Sequence, residues 1–254
     1  MLNDYHVHAL SHGEYSYTYD WLCQFIEKAQ QQQLSEIGFA EHDEFKHLIN
    51  FNIVRQLVEN FPNIRIKLGL EVDYIPGREK EIREIQASYD WDYLIGSVHF
   101  IDGWAFDHPD HKEKFKTDDI DEIYFNYFNL VRQSVEANCF DIVGHLDLVK
   151  IWGCKPNKNS LLHYVEPVLK SIKDAGMAIE INTSGLRKPV GEIYPAPEII
   201  GKMKSLDIPV LFGSDAHHPD QVGMDYKKAA IFAKKAGFNE IVKFSNRKAQ
   251  IVQI

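Results

Sequence analysis

The chain has 254 residues, of which 44% are hydrophobic and 12% aromatic, enough apolar material for a large core, so disorder is excluded. Its formal net charge of −9 argues against a nucleic-acid-binding surface, which would carry a basic stripe. It leaves room for an anionic substrate, because bound cations would reverse the local sign.

In chain order, a strand is expected near 2–6 and a helix at 19–32. Strand and helix then alternate: 36–40 and 53–60, 64–71 and 79–87, 93–98 and 120–138, 142–144 and 161–175, 177–182 and 196–206, 209–213 and 225–236. Asp118 or Asp119 should cap the helix at 120, and Gly237 should close the last one. Strand–helix alternation at this density implies a parallel sheet with helical crossovers. The first strand is followed by histidines, not by the Gly-rich turn of an open doubly wound sheet. A closed or nearly closed α/β barrel spanning 1–254 as one domain is therefore expected, with its chemistry at the carboxyl ends of the strands. No apolar run approaches the roughly 18 residues of a membrane span. Met1-Leu2-Asn3-Asp4 lacks the opening of a secretory signal. Three widely spaced cysteines, Cys23, Cys139 and Cys154, read as free thiols of a cytoplasmic protein.

The strand ends carry the signal. Asp4-Tyr5-His6-Val7-His8 places two imidazoles two residues apart, on one side of an extended chain. Glu41-His42, Glu71, His99, His145, and Asp215 with His217 follow at later strand ends. A lone histidine at such a place is usually structural, and His47, His111 and His163 are read that way. Asp20, Glu44 and Asp121 are read as charges at helix starts. Recurrence sets the others apart, because buried ionisable groups are costly unless paired or metal-bound. Glu71, which ends the apolar run Ile66 to Leu70, is the sharpest case. Imidazole and carboxylate without thiolate suit Zn²⁺, Mn²⁺ or Fe, and the number of candidates exceeds what one tetrahedral ion uses. Two or three divalent ions sharing Glu71 would suit phosphoester hydrolysis.

These motifs, together with Gly213-Ser214-Asp215-Ala216-His217, resemble the PHP (polymerase and histidinol phosphatase) superfamily. The segments Tyr93 to Phe100, Trp104 to Pro109, Gly144 to Leu148 and Asn182 to Pro189 are similar to its histidinol phosphatases. The resemblance implies a distorted (β/α)7 TIM-like barrel with a trinuclear metal centre. In it His6, His8, Glu71 and Asp215 would hold one ion, Glu71, His99 and His145 a second, and His42 with His217 most of a third. Many relatives have a further His eight positions after the first motif His. This chain has Glu14 there and His12 two residues earlier, so either could complete the third site.

The implied reaction is hydrolysis of a small phosphomonoester, L-histidinol phosphate foremost, with a hydroxide bridging two metals as nucleophile. Arg187 is the candidate phosphate clamp, with a surface charge as its alternative. His217 or the neighbouring Asp215 is the candidate acid for the leaving group. Trp104, Phe106 and His108 are candidates for the substrate wall, although Trp104 and Phe106 could simply pack the loop. Alternatives are a phosphoesterase or nuclease of the same superfamily with another substrate, or a metal-dependent amidohydrolase. Neither nucleic acid nor membrane is expected as a partner, and the oligomeric state is left open.

Overall fold

The computed structural model describes residues 2–254. Its elements run β1 (Asn3–Val7), α1 (Tyr19–Gln31), β2 (Glu36–His42), α2 (Phe51–Asn60), β3 (Arg65–Asp73), α3 (Glu79–Ala87), β4 (Tyr93–Ser97), β5 (Phe100–Ile101), β6 (Trp104–Ala105) and α4 (Lys114–Thr117). They continue with α5 (Ile120–Glu136), β7 (Ile142–Val143), α6 (Leu161–Ala175), β8 (Ala178–Asn182), α7 (Pro197–Ser205), β9 (Val210–Gly213), α8 (Tyr226–Lys235), β10 (Glu240–Ser245) and β11 (Lys248–Gln253). The helices form where the sequence places apolar residues three and four apart. In α1, Leu22, Phe25, Ile26 and Ala29 make one buried stripe behind a Thr18 cap. Asp119 caps α5, accepting from the Asp121 N–H at 2.9 Å. Asp121 itself does more than charge a helix start. Its carboxylate accepts from Asn157, Lys158 and Asn159 N–H groups and the Tyr164 hydroxyl, bracing the loop before α6.

Seven strands form one sheet in the order β1-β2-β3-β4-β7-β8-β9, and every neighbouring pair is parallel. The outer two meet just past their ends. His8 N–H donates to Ala216 O at 2.8 Å, and Ala216 N–H donates to His6 O at 3.2 Å. The sheet thereby becomes a nearly closed, distorted (β/α)7 barrel whose seam, among the described residues, is the single bridge between Val7 and Ala216.

The C-terminal hairpin β10–β11 was not legible in the sequence. Its turn residues Asn246 and Arg247 both take left-handed φ, 48° and 60°, without the glycine that usually advertises such a turn. The hairpin stoppers the barrel floor. Val242 and Phe244 join Tyr5, Tyr93, Ile95, Ile142 and Leu211 in an apolar plug inside the strands. Tyr93 stacks on Tyr5 at 4.8 Å, and Gly38 and Gly69 leave the space its ring fills, since a Cβ at either would strike it.

Candidate metal centre

Above the apolar plug, six of the seven barrel strands deliver imidazoles or carboxylates to one point. The register shift in β1 between Asp4 and Val7 makes this possible. Tyr5 points into the plug, and after the shift His6 and His8 also face inward, both fully buried. Glu71 of β3 is the hub. Its Oε1 lies 3.3 Å from His6 Nε2, 3.0 Å from His145 Nε2 and 3.7 Å from His99 Nε2. Its Oε2 lies 3.5 Å from His8 Nε2 and 3.0 Å from His42 Nδ1. Asp215 Oδ1 approaches His8 Nε2 at 3.5 Å from the far side. The last two residues of β2, beyond the expected strand end, carry His42 to this place. Glu41 faces away and anchors the loop after β1 by accepting from Ala9 and Leu10 N–H groups at 2.9 and 3.0 Å.

Three sets of side chains each bring ligand atoms within 4.8 Å of one another: His6, His8 and Glu71; Glu71, His99 and His145; and His8, His42 and His217. Buried imidazole nitrogens without a hydrogen-bond partner recur through them, on His6, His8, His42, His145 and His217. Proteins leave few buried polar atoms unsatisfied, and each is costly. A neutral imidazole has one lone pair, so a cation would satisfy one of these nitrogens on each ring that binds it, and the N/O donor set fits zinc and similar divalent ions.

The electrostatics point the same way. Burial opposes the Glu71 charge, but His6, His99, His145 and His42 outweigh it and hold the carboxyl well below its usual range. Burial would neutralise His6, yet Glu180, Glu71 and Asp215 raise it well above its ordinary value; Asp73 and Glu71 do the same for His99. These imidazoles draw protons from the field that would hold divalent cations, so metal and proton compete there. Burial lowers His217 to about 4. It is therefore neutral near pH 7, the state of a metal ligand.

Other sequence candidates separate clearly. His12 is on the loop after β1, with its ring centroid 5.2 Å from that of His42 and 4.7 Å from that of His217. Glu14 turns back onto its own loop, accepting from the His12 N–H at 2.6 Å, and stays exposed. Arg187 is partly buried, not a free surface charge. Its Nη2 donates to Ser214 O at 2.6 Å, while Nη1 is buried without a partner. It lines a cavity of about 310 Å³ with His12, Ser184, Lys188, Asp215 and His217. Trp104 and His108 are not brought to this cavity. The Asp102-Gly103 turn folds Trp104 against Phe115, and its indole donates to His111 O at 3.2 Å. His108 is more than half exposed and caps the short 3₁₀ turn at Pro109–His111. His47, His111 and His163 belong to none of the three ligand sets.

The supporting layer was missed. Asp73 hydrogen-bonds His99 Nδ1, Ser97 donates to Glu71 at 2.6 Å, and fully buried Glu180 lies 2.7 Å from His6 Nδ1. Glu180 is flanked by Ile179 and Ile181, so a lone carboxylate in an apolar strand was the available signal, as at Glu71.

The model of the PHP domain family matches residues 4–184, and the chain belongs to this family. A protein of Deinococcus radiodurans named probable histidinol-phosphatase is 38% identical over 186 residues, 73% of this chain and 70% of that protein. The histidinol-phosphatase of Bacillus subtilis is 33% identical over 182 residues, 65% of this chain and 68% of its own. Among solved structures, the histidinol phosphate phosphatase of Lactococcus lactis, complexed with zinc, L-histidinol and phosphate, superposes with a TM-score of 0.74 at 23% identity. That match covers 98% of both chains.

Proposed function

We propose that this chain, acting as one catalytic domain over 1–254, is a metal-dependent phosphomonoester hydrolase that converts L-histidinol phosphate to L-histidinol and phosphate. The observation that carries the reading is the convergence of His6, His8, His42, His99 and His145 on Glu71, four of them with a buried unpartnered nitrogen, beside a cavity bearing the unpaired Nη1 of Arg187. The names of the Deinococcus and Bacillus relatives, and the ligands of the Lactococcus structure, support the substrate.

His6, His8, Glu71 and Asp215 would hold one ion, Glu71, His99 and His145 a second. His42 and His217, with His12 and not Glu14, would complete a third. Zinc, manganese and iron all suit these donors. When bound, such ions supply Lewis-acid activation of water near neutral pH and neutralise charge on the phosphoryl oxygens. The protein's own part is positioning. Arg187 Nη1 would grip a phosphate oxygen while Nη2 stays tied to Ser214 O. His217 and Asp215 would act as ligands, and His217 or Asp215 remains the candidate acid for the leaving alkoxide. The reaction would serve histidine biosynthesis in the cytoplasm; no helix among the described residues is long and apolar enough to cross a membrane.

The test is phosphate release by the zinc- or manganese-loaded protein from L-histidinol phosphate, p-nitrophenyl phosphate and single-stranded DNA, compared side by side. The reading expects kcat/KM to be highest for L-histidinol phosphate. Preference for DNA, or no release from either monoester, would overturn it.

A further inference from the structure

Strand β8 contributes none of the proposed ligands, yet it carries a completely buried carboxylate behind them. We propose that Glu180 is a positioning residue that fixes the His6 ring in the tautomer presenting its Nε2 lone pair to a cation. The inference rests on the metal-centre reading above.

Three groups meet this carboxylate. Oε1 lies 2.7 Å from His6 Nδ1, while Oε2 accepts from the His145 backbone N–H at 2.9 Å and from Asn182 Nδ2 at 3.0 Å. An ionised carboxylate only accepts, so His6 Nδ1 must carry the hydrogen. The remaining nitrogen, Nε2, is the one 3.3 Å from Glu71 Oε1 and without a hydrogen-bond partner. Fixing a ligand's tautomer through its second nitrogen is the role a carboxylate plays behind metal-bound histidines.

Glu180 also joins the flanking strands. By holding the His145 N–H it sets the turn that presents a second ligand, after β7. Asn182 extends the chain, its Oδ1 accepting from the Ser184 N–H at 2.8 Å, and Ser184 Oγ donates to Asp215 Oδ2 at 3.0 Å. Gly213 of β9 lies against the carboxylate, where a Cβ would collide with Oε1.

The arrangement makes Glu180→Gln a sharp probe. The backbone N–H of His145 and the amide of Asn182 both point donors at Oε2, so the glutamine oxygen must remain there. Its NH₂ then faces His6 Nδ1, which can accept only if the ring hydrogen moves to Nε2 and points at the cation's place. Glu180→Asp keeps acceptors only and should preserve the tautomer.

Zinc affinity and stoichiometry of the full-length chain and both variants, measured by competition with a chromophoric chelator, test this. ¹⁵N NMR of the zinc-loaded wild type reads the His6 tautomer directly. Glu180→Gln should bind one ion roughly 10–100-fold more weakly, with Glu180→Asp recovering most of the loss, and wild-type His6 should carry its hydrogen on Nδ1. Wild-type zinc affinity in folded Glu180→Gln would overturn the inference alone. So would a hydrogen on Nε2 of His6 in the wild type, which decides the matter even if the variants fail to fold. Zinc failing to bind the wild type would overturn the metal-centre reading as well.

Discussion

Glu36 and Glu71 sit at opposite ends of one barrel, both within 2% of complete burial, yet their surroundings differ in kind. At the floor, Glu36 Oε1 accepts from Lys243 Nζ at 2.9 Å and Arg65 Nη1 at 3.1 Å, and Oε2 accepts from the Tyr5 hydroxyl. Both carboxylate oxygens have partners, and these come from the hairpin and neighbouring strands, so the network locks the stopper in place. At the mouth, Glu71 is ringed by imidazoles, and buried nitrogens of His6, His8, His42 and His145 have no partner. A buried charge that is fully paired holds structure together. One surrounded by unsatisfied lone pairs is held ready for a ligand, and the protein retains its cost for function.

The largest expected effect breaks the mouth alone. His8→Ala, or removal of metal with a chelator, should lower kcat/KM by roughly 10³-fold or more, the several kcal/mol that Lewis-acid charge stabilisation contributes. Far-ultraviolet circular dichroism should stay near that of the untreated wild type. Persistent turnover in a demonstrably metal-free sample would remove the assignment.

Glu36→Ala should do the converse. It leaves Lys243 buried without its carboxylate and should cost about 3–5 kcal/mol of stability in urea unfolding, with kcat/KM unchanged wherever the variant is folded. Loss of activity without loss of stability would erase the distinction between the two ends.

Arg187→Ala sharpens the picture at the cavity. A hydrogen bond to a charged group is worth about 1.5–3 kcal/mol, so KM for a phosphomonoester should rise roughly 10–100-fold with little change in bound zinc. An unchanged KM would mean that Arg187 only braces the Ser214 loop.

The smallest effect concerns pH. Burial opposes ionisation of Glu36, but hydrogen bonds from Tyr5, Lys243 and Arg65 outweigh it and keep the carboxyl below its ordinary 4.5. A depressed carboxylate stabilises the fold above pH 4.5, and that share is lost as pH falls through the lower folded value. The stability difference between wild type and Glu36→Gln should therefore shrink on acidification below pH 4.5. A gap that stays constant across that range would contradict the paired state.

The alternation of strands and helices, the barrel and nearly all the proposed ligands were legible because they depend on local patterning and on residue types that cannot be buried cheaply. Repeated His, Glu and Asp at strand ends carry that information without coordinates. Three-dimensional placement decided the rest. Glu14 fits the third site by sequence distance and His12 by chemistry, and only the path of the loop turns the His12 ring to His42 and folds the Glu14 side chain back onto the loop. Trp104 and His108 belong to one of the conspicuous segments, but a tight turn commits them to local contacts. Glu180 and the β10–β11 stopper gain their roles from partners far away in the chain, at His6 and Tyr5. Such pairings arise when the barrel closes, and no local pattern records them.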